Sequence, residues 1–187
     1  MMRAIDTKTP EFRWRSWLGA SVAVFLLYGA FNAFAAIYVP LSLHLGGPAA
    51  TGGLVLTDAL DGALLGRTLD TIGRTDPRLA TYLVTFMDTM CAQMMAFAIV
   101  ELAVVWYALR RAHRWALWAA LVGGVAIAPY YVAILLTYAR AGVELAPSSV
   151  AAILSFTAFP IGATVLGRLG LRQAPAGRRI DVTVRQV

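Results

Sequence analysis

The sequence predicts an all-α fold, an integral membrane four-helix bundle with one interfacial amphipathic helix in the first external loop. Three observations carry that prediction. Apolar residues make up 59% of the chain and charged residues 14%, against ~45–50% and ~25% in soluble domains. The apolar residues fall in long runs, so the bilayer is the solvent to reason about. The basic residues flank those runs, as topology signals do.

Residues 1–16 form a polar, basic segment, with Arg3, Lys8, Arg13 and Arg15 set against Asp6 and Glu11. Pro10 argues against a continuous helix there. Trp14 and Trp17 mark a membrane–water boundary, where amphipathic rings settle. The first span is expected over 17–43, with Asn32 as its one strongly polar interior residue and Pro40 as its end. Its basic start and the Ala33-Phe34-Ala35 triplet imitate a cleavable signal peptide. The apolar run is longer than the usual ~7–15 residues, which favours a retained span.

The connection 44–80 contains Gly46-Gly47-Pro48 and Gly52-Gly53, which break the chain. Within it, 54–72 repeats Leu56, Leu60 and Leu64 at helical spacing between Asp58, Asp61 and Asp70. That stretch has too many acids to span and reads as the interfacial amphipathic segment, its acids as ordinary solvated charges. Asp76-Pro77 then offers a helix cap followed by a first-turn proline.

The second span is expected over 82–109. The third, over 115–138, has Gly123-Gly124 and Pro129 near its middle, where a kink is expected. The fourth, over 147–166, begins at Pro147 and contains Pro160. Ala158 and Gly162 there are spaced for close helix contact. Together 17–166 make one transmembrane domain, followed by a basic tail over 167–187. Four, three and five of the 16 Lys and Arg lie in the N-terminal segment, the 110–114 loop and the tail. This places both termini in the cytoplasm of a multi-pass cell-membrane protein by the positive-inside rule.

The net charge of +6 belongs to those flanks. No aromatic-interleaved basic platform for nucleic acid accompanies it. The single cysteine, Cys91, cannot form an internal disulfide and reads as a packing residue. His44 and His113 lack metal-ligand spacing, and no cofactor motif is present. There is no nucleophile elbow, phosphate loop or His-Glu-x-x-His, so whether the chain is an enzyme stays open.

What remains is a pair of acids in the second span. A carboxylate at the centre of such a helix costs about 2.5–3.5 kcal/mol on insertion scales, so Asp88 and Glu101 are expected to face away from lipid. Thirteen positions apart, they are separated by about 20 Å along the axis and cannot act on one atom. Each needs its own partner. Arg78, Arg140 or external water would suit Asp88. Tyr130, Tyr131 or Asn32 would suit Glu101. Glu101 also continues a stripe of Met87, Met90, Met94 and Ala98, which either packs against neighbours or lines an irregular apolar ligand site.

The expected function is therefore binding of a lipid-like or amphipathic small molecule within the bundle. Glu101 or Asp88 would be the polar anchor, with Tyr130, Tyr131, Met94 and Asn32 as lining. Alternatives are a small proton-coupled carrier, an accessory subunit whose acids meet a membrane-protein partner, and an intramembrane enzyme acting on a lipid-like substrate. Membrane lipid is the expected surrounding partner, and a homo-oligomer is a further one. In layout, Asp76-Pro77, Asp88 and Glu101 resemble small four-span proteins of the emopamil-binding and sigma-2-receptor type. DoxX-like four-helix proteins are similar to about the same degree. The first resemblance is one of arrangement rather than motif, and it implies binding of sterol-like or cationic amphiphiles.

Overall fold

A computed structural model describes residues 12–173, with Ala152 described by its backbone alone. The expected features at Arg3, Lys8 and Pro10, and the part of the basic tail beyond Gln173, lie outside the described residues. The first helix, α1, covers Trp17–Gly46. Two short helices follow, α2 (Asp58–Leu65) and α3 (Leu69–Thr75), then the long α4 (Pro77–Tyr107). A short 3-10 turn at Leu109–Arg111 leads into α5 (Arg114–Val125), α6 (Ala128–Arg140) and α7 (Pro147–Gln173). With α5 and α6 taken as one interrupted helix, four helices are long and apolar enough to cross a membrane.

Local chemistry sets most boundaries. Ser16, Thr57, Thr68 and Asp76 each cap a helix by accepting a backbone N–H from three residues on, at 3.0, 3.3, 3.2 and 3.1 Å. Pro77 sits in the first turn of α4, where its missing N–H is harmless. Pro40 does not end α1, contrary to expectation. The helix runs through it and stops where Gly47 adopts φ 79° and its amide bonds Leu43 O at 2.8 Å. The expected single amphipathic segment over 54–72 is divided, because Gly66 takes the left-handed conformation and closes α2. The third span breaks at Ala126 and Ile127, just before Pro129, as its sequence leads one to expect.

Helix α1 packs on α4 and α7, and α5 fills the remaining side between α4 and α7. The core of this contact lies toward one end of the bundle and includes Val22, Phe25, Val105, Leu109, Leu117 and Ala163. Close approach of α1 and α7 depends on Gly167 and Gly170. A Cβ on Gly170 would lie 2.3 Å from the Leu18 backbone nitrogen, and one on Gly167 2.8 Å from Ser21 Oγ. Ser21 Oγ donates to Ala163 O at 2.7 Å across the same seam. The expected contact pair Ala158 and Gly162 lies elsewhere. Both are exposed and line an outward groove of about 480 Å³, and a Cβ on Gly162 would meet nothing within 4 Å.

Leu27, Phe34, Ile37, Val100, Val122 and Val165 are all more than half exposed. Large apolar faces of this kind are rare on soluble monomers and suit a lipid solvent. All five tryptophans lie at one end of the helices, Trp14 and Trp17 beside Trp106, Trp115 and Trp118. Arg110 stacks there on Trp106 at 4.5 Å and on Phe12 at 5.4 Å, and Arg168 on Trp118 at 5.5 Å.

Candidate functional site: a buried carboxylate between two helices

The buried residues of α4 are Cys91, Ala98, Glu101 and Val105. Their spacing returns them to one side of a 3.6-residue helix, the side that meets α1. Glu101 therefore turns inward by the register that buries its apolar neighbours, and it is 3% exposed. Opposite it stands Gly29 of α1. A Cβ there would lie 2.9 Å from Leu102 and 3.8 Å from Glu101 Oε2, so the missing side chain leaves room for the carboxylate.

Neither Glu101 oxygen has a hydrogen-bond partner among the described residues. Native interiors leave few polar groups in that condition, and each one found calls for an explanation. Tyr28, the residue before Gly29, lies within electrostatic reach of both Glu101 and Tyr131. Its ring would be 3.8 Å from a Cβ on Gly124, which places it toward α5. Tyr28 of α1 thus neighbours both a carboxylate from α4 and a phenol from α6 inside an otherwise apolar bundle. Such a group can accept hydrogen bonds from, or exchange a proton with, a donor that enters.

The remaining sequence-derived candidates are distributed around this region. Tyr131 is half-buried and Tyr130 is 67% exposed, pointing away from the bundle. Met94 and Met87 are half-buried on the Glu101 side, while Met90 is 50% exposed. Asn32 is half-buried, and its amide donates to Tyr28 O of its own helix at 2.8 Å. Asp88 stands apart from Glu101, as their spacing requires. Its partner is His44, with Nε2 2.9 Å from Oδ2, rather than Arg78 or Arg140. That partner exists because α1 continues past Pro40 and carries His44 to the level of Asp88 on α4.

Sequence reasoning missed two residues. Tyr28 was hidden as one aromatic among many in the first apolar run. Asp61, read as a solvated charge, is 3% exposed. Its carboxylate accepts the backbone N–H groups of Leu54, Val55 and Leu56 at 2.5, 3.0 and 3.2 Å, and the Tyr138 hydroxyl at 2.5 Å. The sequence carried no signal for this, because the three amides converge on Asp61 only through the folded path of the glycine-led stretch before α2. Among the described residues, no three His, Cys, Asp or Glu side chains gather as a metal site would require. No family model, curated protein or solved structure matches this chain.

Proposed function

We propose that this chain is a cell-membrane protein whose bundle holds a lipid-like or amphipathic small molecule, with Glu101 as the polar anchor. One observation carries the reading: a carboxylate that is 3% exposed and has no hydrogen-bond partner on either oxygen among the described residues. A buried acceptor left unsatisfied costs about 1–3 kcal/mol, more if charged, which a ligand's donor group would recover. The ligand's head is therefore a hydroxyl or amine, and its body is apolar to match the helices around it. Tyr28 and Tyr131 flank that head, and the half-buried Met94 adapts to the body. The arginines gathered at the end carrying Arg110 and Arg168 favour a cytoplasmic position for both termini.

The test is a panel of long-chain alcohols, alkyl amines and sterols, read by thermal stabilisation and by retention on the purified protein. At least one class is expected to bind the wild type and to lose tenfold or more in affinity with Glu101→Gln. Binding that is equal in Glu101→Gln, or no binder in any class, contradicts the reading.

A further inference from the structure

We propose that the segment 47–76 is a strap that holds α6 against the bundle, and that releasing it lets α6 swing on a hinge at 126–129. The strap is fixed at one side by α3, whose Leu69 and Ile72 are fully buried, and α3 packs on α4. Arg67 and Asp76 approach to 3.5 Å across α3. At its other side the strap presents Asp61. That carboxylate is held in place by the three amides of Leu54, Val55 and Leu56, and the Tyr138 hydroxyl of α6 docks onto it.

Helix α6 depends on this dock more than on packing. Tyr138 is its one buried residue, while Tyr130, Val132 and Leu136 are 67%, 55% and 48% exposed. Among the described residues its main helix neighbour is α7, and that contact is slight. The other end of α6 is a natural pivot, since α5 stops at Val125 and Pro129 removes one backbone donor at the restart. An arm hinged at one end and tied at the other through a charge-assisted hydrogen bond is a two-position element. Tyr131 rides near the pivot, within electrostatic reach of Tyr28, which in turn reaches Glu101. Swinging α6 outward opens that polar region sideways, toward the membrane. The movement stands on the geometry of the strap alone. Its use as a ligand entrance rests on the binding reading above.

The experiment measures distances between spin labels on the full chain in lipid nanodiscs, in a Cys91→Ala background. One pair sits at Phe86 of α4 and Leu136 of α6, both 48% exposed. A control pair sits at Leu27 of α1 and Val165 of α7, also exposed. Tyr138→Phe removes the hydroxyl and keeps the ring, and Asp61→Asn weakens the acceptor. In at least one variant a second Phe86–Leu136 population, displaced by about 5 Å or one helical pitch, is expected to rise roughly tenfold. The control pair keeps its wild-type distribution. An unchanged Phe86–Leu136 distribution in both variants overturns the strap. Equal broadening of the control pair also overturns it, because the dock would then be general support for the fold. No ligand enters the measurement, so failure of the binding reading leaves its outcome intact.

Discussion

Glu101 is buried without a hydrogen-bond partner among the described residues, so its removal has an unusual expected sign. Glu101→Met replaces an unsatisfied acceptor with an apolar chain of similar length, and should raise stability by about 1 kcal/mol or more. Thermal unfolding in detergent checks this. A loss of stability would mean that the carboxylate is a structural anchor. Ala112 gives a second residue-scale test, because it holds φ at 63°. The left-handed region is unfavourable for alanine and open to glycine. Ala112→Gly is expected to stabilise the turn before α5 by roughly 0.5–1 kcal/mol, measured the same way. The inward direction of Glu101 was legible in the sequence because an acid among lipid tails is costly and Ala98 shares its helix face. The pairing of Asp88 with His44 was not. It follows from how far α1 continues beyond Pro40, and a proline alone does not decide that.

At the scale of elements, helix contacts follow glycine positions that composition does not distinguish. Gly170→Ala pushes a Cβ against the Leu18 backbone, which cannot give way as a flexible side chain can, so it should cost about 1–3 kcal/mol. Gly162→Ala meets open space and should cost no more than a few tenths of that, with helix propensity in its favour. Paired unfolding curves of the two variants make the comparison. The sequence marks small residues as contact candidates, yet gives no rotation of α7, and the chosen pair faces outward. The loop between the first two long helices was the least legible element. Its acids look solvated one by one, and only the folded backbone reveals that three amides converge on Asp61.

For the whole molecule, four apolar helices and the count of tight basic flanks were readable from the chain alone, because hydropathy and charge are summed over many residues. A reporter enzyme fused after Arg185 is expected to be active in its cytoplasmic form only, while one inserted in the 47–57 loop reports the outside. The reverse pattern would invert the bundle. The interior site depends on a few side chains from α1, α4 and α6 and on the rotation of each helix, which no sum over composition contains. Photolabelling tests that site most directly. A diazirine-bearing alkyl amine, activated on the purified protein, should mark residues around Tyr28, Glu101 and Tyr131 and lose those marks in Glu101→Gln. Marks confined to outward residues such as Tyr130 and Ile99, unchanged by the substitution, would contradict a ligand held inside the bundle by this carboxylate.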